Sequence, residues 1–107
     1  MSGDTGPGVQ VRNNEAAGRF EVEQDGRVAF AEYRLLASGV LFPHTLVPQA
    51  MEGRGVAKAM AEEALAFARG RGVKVMPTCT FFAGYIARHP EHHDLVHPDY
   101  RRALHLD

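Results

Sequence analysis

Between Val47 and Met60 an apolar run breaks into a glycine-spaced turn and then opens a helix, Val47-Pro48-Gln49-Ala50-Met51-Glu52-Gly53-Arg54-Gly55-Val56-Ala57-Lys58-Ala59-Met60. Gly53 and Gly55 carry no Cβ and accept positive φ, so the backbone there can curl and let a ligand approach its N–H groups. The helix that follows leaves its first N–H groups without intrahelical partners and aims its positive dipole end at the same place. A turn of this kind is an anion site, and phosphate is the usual anion. Arg54 and Lys58 add positive charge, and Glu52 opposes it. The competing reading is a plain strand-to-helix connection, because glycines punctuate many loops. Spacing removes two nucleotide alternatives. Gly55 is followed by Val56 where a Walker loop needs Lys and Ser/Thr, and Lys58 stands where a dinucleotide fingerprint needs its third glycine.

Three other side chains have reactive chemistry. Cys79 follows a short apolar run, Val73-Lys74-Val75-Met76, and so falls just beyond the C-terminal end of a strand, where sites in α/β sheets gather. It reads as a nucleophile, as a thiol close to a bound ligand, or as a small buried residue. His44 sits on a strand with Phe42 and Leu46 on its alternate positions, and reads either as a base for an ammonium group or as a hydrogen-bonded rim histidine. His89, at the end of a second helical segment, has the same two readings and a third, contact with a cofactor bound at the glycine turn. His89, His93 and His97 recur every four residues, with His92 beside them, which raises a metal site. Pro90 and Pro98 interrupt that register and no second cysteine completes a ligand set, so no metal is expected.

These residues need elements to hold them. Val9-Gln10-Val11 and Phe20-Glu21-Val22-Glu23 alternate as strands, and Asp25-Gly26 is a two-residue hairpin signal. The next strand, Arg27 to Leu36, puts Val28 and Phe30 on one face and Ala29, Ala31, Tyr33 and Leu35 on the other. Ser38-Gly39 turns the chain into Val40–Val47, where Pro43 cannot donate to a ladder and predicts an edge or a bulge. Val56–Arg69 reads as a helix with Val56, Ala57, Met60, Ala61, Ala64, Phe67 and Ala68 on one face, bracketed at its end by Gly70 and Gly72. A strand, a helix and a strand in succession predict a crossover between parallel strands, with Val40–Val47 as the neighbour of Val73–Met76. Phe81, Phe82, Tyr85, Ile86 and His89 have helical spacing, giving a short second helix that Pro90 ends. The segment after Glu91 has no clear pattern.

The chain's 107 residues suffice for one core, and we expect a flexible tail over residues 1–8 and a single domain over residues 9–107. Twelve basic and 13 acidic residues give a formal net charge of −1, which supplies no field for nucleic acid. One cysteine excludes an intrachain disulfide and suits a reducing compartment, and no apolar run approaches the ~18 residues of a membrane span. The expectation is a soluble cytoplasmic protein without a membrane partner.

Three stretches also carry a family resemblance. They are His44-Thr45-Leu46-Val47-Pro48, then Gly53-Arg54-Gly55-Val56-Ala57, and then Val75-Met76-Pro77-Thr78-Cys79 with His89-Pro90-Glu91 and Asp94-Leu95-Val96 behind it. With them the chain resembles the small, single-domain branch of the GNAT acetyltransferase superfamily over roughly residues 9 to 97. The superfamily's pyrophosphate loop, Gln/Arg-x-x-Gly-x-Gly/Ala, is matched at Gly55 and Ala57 and departs at Glu52, so phosphate binding is expected to lean on backbone amides. The resemblance implies an α+β (α/β) GNAT-like fold, in which an antiparallel meander is followed by a β-α-β crossover with splayed strands and a second short helix. It implies acetyl-CoA as cofactor, held by Gly53, Arg54, Gly55, Val56, Ala57 and Lys58, with the backbone of Leu46 and Val47 free to pair with the cofactor's amides. A backbone N–H near Val47 would polarise the thioester. Tyr85 would be the acid for the departing thiolate, unless it is only a half-buried tyrosine with its hydroxyl at the surface. Direct transfer to an unknown amine, small or peptide-borne, is the expected activity, and the short C-terminal segment is expected to leave a shallow acceptor site, suited either to a protein-borne or peptide amine or to completion by the second subunit of a homodimer. The alternative is a module that binds CoA or acyl-CoA and acts through protein partners.

Overall fold

The computed structural model describes residues 9–106, and the tail expected over residues 1–8 lies outside the described residues. Four strands, β1 (Arg12–Asn14), β2 (Arg19–Gln24), β3 (Arg27–Leu36) and β4 (Gly39–Leu46), form an antiparallel meander. Helix α1 (Val56–Arg71) then leads to β5 (Val75–Met76), which lies parallel to β4 in a sheet ordered β1-β2-β3-β4-β5. Helix α2 (Thr80–Ala87), a 3-10 turn (Pro90–Leu95) and α3 (Pro98–Arg101) follow. This is the α+β arrangement expected from the sequence, a meander, a crossover and a second short helix.

Local chemistry accounts for most boundaries. Asp25 and Gly26 both take positive φ, 53° and 77°, which gives the two-residue turn whose twist matches its strands. The first strand lies at Arg12–Asn14, later than the Val9–Val11 alternation predicts. Two things fix its place: Arg12 pairs with Glu21 across the ladder, and the turn behind it is closed by Ala17 N–H to the Asn14 carbonyl and side chain. Leu35 keeps the face of Ala29, Ala31 and Tyr33 but is 48 % exposed, because it runs on to the rim of a groove with Tyr33, Phe67 and Arg71.

The β4 register carries the main irregularity. Glu32 pairs with His44 and Arg34 with Leu41, so Tyr33 alone faces both Phe42 and Pro43. Pro43 therefore sits in a bulge, where its missing N–H leaves no ladder bond unmade. On the other side β4 pairs with β5 only at Val40–Val75 and Leu41–Met76 before Pro77 ends β5. Beyond Phe42 the two strands part, the splayed geometry expected for the pair.

Helix α1 runs through Gly70 and stops at Gly72, whose φ of 71° and the Val73 N–H bond to the Ala68 carbonyl close it. Its buried face contains Ala59 and Leu65, where the sequence reading had Ala57 and Phe67, which are half-buried. The core joins Phe20, Val22, Ala31 and Val40 of the sheet to Met60, Ala64 and Leu65 of α1 and Phe82 and Ile86 of α2. Phe42 stacks on Phe82 with ring centroids 4.3 Å apart, which anchors α2 to β4. The segment after Pro90 is also ordered by burial: Leu95 and Val96 enter the core, and Val96 bridges to Val75. None of the described helices is long and apolar enough to cross a membrane.

Candidate functional site

The turn after β4 is built as its glycines require. Gly53 and Gly55 have φ of 79° and 77°, a region unfavourable to side chains, and a Cβ at either would meet nothing within 4 Å. Gly55 caps α1, and the first intrahelical bond to its carbonyl comes from Ala59 N–H. The N–H groups of Val56, Ala57 and Lys58 thus precede the helical ladder, and no acidic side chain stands in that first turn. They open on a cleft of about 310 Å³ lined by Val47, Met51, Glu52, Gly53, Gly55, Val56, Ala57, Lys58 and Phe81. The cleft offers hydrogen-bond donors and one ammonium at its polar end and an apolar wall elsewhere, a combination suited to a long ligand with an anionic group.

Six of the expected binding residues, Val47, Gly53, Gly55, Val56, Ala57 and Lys58, meet in this cleft. Three do not. Arg54 turns toward the β2–β3 hairpin, 3.5 Å from the Asp25 carboxylate and 3.3 Å from Gln24 Oε1. Leu46 lies outside the cleft and is 47 % exposed. His89 stacks on the Tyr85 ring at 4.0 Å and donates through Nδ1 to the Tyr85 carbonyl. Met51 and Phe81 are additions that sequence reading placed only in apolar or helical patterns.

At the fork between β4 and β5, Cys79 caps α2 with extended backbone, and its N–H bonds to the Phe42 carbonyl at 3.1 Å. Its half-buried thiol donates to Thr45 Oγ1 at 3.4 Å. Val47 is two residues past Thr45 and Phe81 two past Cys79, so fork and cleft adjoin. His44 is exposed, paired with Glu32 and 5.7 Å from the Phe30 ring. It does not share a face with Phe42, because the bulge at Pro43 adds a residue between them and leaves Phe42 fully buried.

Tyr85 is almost fully buried, and its hydroxyl donates to Glu62 of α1. Burial and then the neighbouring Glu62 carboxylate push the phenol's pKa up. Burial works to raise Glu62 as well, but hydrogen bonds from Tyr85 and His92 outweigh it and hold the carboxyl below its ordinary range. His92 donates through Nε2 to the same Glu62 oxygen at 3.2 Å, and its Nδ1 is buried without a partner among the described residues. The remaining histidines are directed elsewhere: His93 donates to the Ile86 carbonyl, and His97 accepts from Asp99 N–H. Among the described residues no three His, Cys, Asp or Glu side chains are grouped to hold a metal ion.

Comparison with known proteins gives this geometry a family. Protein NATD1 of Gallus gallus is 31 % identical over 85 residues, covering 77 % of each chain. Protein NATD1 of Xenopus tropicalis is 30 % identical over 91 residues, covering 81 % of this chain and 83 % of the relative. Residues 19–95 match the pattern of the GCN5-related N-acetyl-transferase domain. Since that match begins in β2 and runs unbroken through the parted strands, the glycine turn and α2, this chain belongs to the GCN5-related N-acetyl-transferase family.

Proposed function

We propose that the protein transfers an acetyl group from acetyl-CoA directly to an amine. The observation that carries this reading is a single cleft in which the glycine turn and Lys58 meet the apolar wall of Val47, Met51 and Phe81, next to the fork that holds Cys79. The open N–H groups at the start of α1 and the Lys58 ammonium suit a diphosphate, and the apolar wall suits a pantetheine arm. Glu52 lines the cleft where the family pattern has Gln or Arg, so backbone amides carry most of the anion binding. Val47, past the last β4–β5 pair, offers its backbone to the amides of that arm, with Leu46 beside it at the cleft's edge, and an N–H near Val47 polarises the acyl carbonyl. Acetyl-CoA, when bound, supplies the activated acyl group. Cys79, at the fork beside the cleft, would lie near the acyl group, and the exposed His44 is available to take the proton of an ammonium acceptor. Tyr85, whose hydroxyl is already donated to Glu62, is left without the acid role that its sequence position implies.

The acceptor is an amine of a small molecule or a peptide, and a reducing cytoplasm suits the free thiol. A second reading, a CoA-binding module with little transfer, is favoured by Glu52 in the cleft and by the engaged Tyr85 hydroxyl. Calorimetric titration with acetyl-CoA, beside Gly55→Glu as a loop control, tests the common ground of both. Micromolar binding, about −8 kcal/mol, by the wild type alone supports the site. No binding by the wild type overturns it. CoA release with a panel of polyamines and lysine peptides then favours transfer, and binding without release favours the module.

A further inference from the structure

Glu62 lies one helical turn beyond Lys58 on α1, and Tyr85 one turn beyond Phe81 on α2. Lys58 and Phe81 both line the cleft, and the Phe81 and Tyr85 rings are 6.0 Å apart. The Glu62 carboxylate therefore meets the Tyr85 hydroxyl directly behind the two facing walls. It also takes the His92 Nε2–H from the 3-10 turn, so one side chain of α1 ties down two successive segments of the chain. Further along the same helix Arg69 makes a paired contact with Asp94 at 2.8 and 3.0 Å, but that tie is exposed and lies three turns from the cleft. Of these two ties of α1 to the segments after β5, the one at Glu62 is the nearer to the cleft, and His92 Nδ1, without a partner among the described residues, marks a geometry in which the Glu62 contact takes precedence over full satisfaction of the imidazole.

We propose that Glu62 is a positioning residue of the cofactor cleft: by holding the Tyr85 hydroxyl and the His92 ring it sets the separation of α1 and α2 at which Lys58 and Phe81 engage one ligand. The proposal rests on the reading of that cleft as an acetyl-CoA site. Glu62 itself touches no ligand. Its carboxylate accepts one hydrogen bond from α2 and one from the 3-10 turn behind it, contacts whose loss lets α2 drift from α1 and leaves the N–H groups of the glycine turn in place.

The test is calorimetric titration of the full chain with acetyl-CoA, each variant paired with its own melting temperature. Glu62→Ala is expected to weaken binding about tenfold at a temperature where it remains folded, and Tyr85→Phe, which removes only the hydroxyl, to weaken it about threefold or more. Glu62→Gln, whose amide oxygen still accepts both hydrogens, should stay within about threefold of the wild type. Val22→Ala, a cavity in the distant sheet, controls for stability alone and should lower the melting temperature at unchanged affinity. Wild-type affinity in both Glu62→Ala and Tyr85→Phe overturns the proposal, as does an equal loss in Val22→Ala. A wild type that fails to bind acetyl-CoA overturns the cleft reading first, and this inference with it.

Discussion

Two basic side chains of the glycine turn have opposite fates, and they separate side-chain from backbone binding. Lys58 lines the cleft, whereas Arg54 is turned to Asp25 at the tip of the β2–β3 hairpin. Lys58→Ala is expected to weaken acetyl-CoA binding about fivefold, or ~1 kcal/mol, and Arg54→Ala to change it by less than about twofold. Titration calorimetry at two salt concentrations checks both, since the Lys58 contribution should shrink as salt rises. Cys79 is tested by chemistry. Its thiol is bonded to Thr45, and under direct transfer an incubation with acetyl-CoA followed by intact-mass measurement shows no acetylated protein, while Cys79→Ala retains CoA binding. A stable adduct lost in Cys79→Ala would replace the direct route with a covalent one. The glycine turn was legible because positive φ leaves a compositional mark. Glu62 carried no such mark, because a carboxylate on the polar side of an alanine-rich helix has the same pattern whether it faces water or a tyrosine from another helix.

At the scale of elements, the hairpin at Asp25-Gly26, the bulge at Pro43 and the two-turn second helix were all written in local residue types, and the structure contains each of them. What local pattern did not contain was set by tertiary partners. The register of β1 follows the Arg12–Glu21 pair, and the segment after Pro90 is placed by burial of Leu95 and Val96 beside β5. His44 left the face of Phe42 because one inserted residue reverses alternation, and Pro43 signalled the bulge without revealing which neighbours it would separate. The Phe42–Phe82 stack is the element contact on which the fork depends, since it fixes the start of α2 against β4. Phe82→Ala removes a fully buried ring, and urea unfolding should show a loss of about 3–5 kcal/mol. A loss under ~1 kcal/mol would mean that α2 is held by its contacts with α1 instead.

For the whole molecule, three carboxyls tie distant segments together and make folding sensitive to acid. Arg12 and Arg19 hold Glu21 down to about 2 from an ordinary 4.5, joining β1 to β2. Arg69 lowers Asp94, joining α1 to the 3-10 turn, and the Tyr85 and His92 bonds keep Glu62 low between α1 and α2. Each binds its proton more weakly in the folded chain than in the unfolded one. As pH falls, the unfolded chain takes up more protons, so all three contributions are lost in acid; that of Glu21 is complete above about pH 4.5 and is lost as pH drops toward about 2. Asp94 is largely exposed and adds little, which leaves Glu21, with a nearly buried side chain, as the main source of the slope. Glu21→Gln should therefore flatten the dependence of the urea midpoint on pH between about 4.5 and 2, while lowering the midpoint at pH 7, where Arg12 and Arg19 lose their charged partner. If the variant keeps the wild-type slope, the acid response belongs to the contact at Glu62 and not to the β1–β2 pair at Glu21.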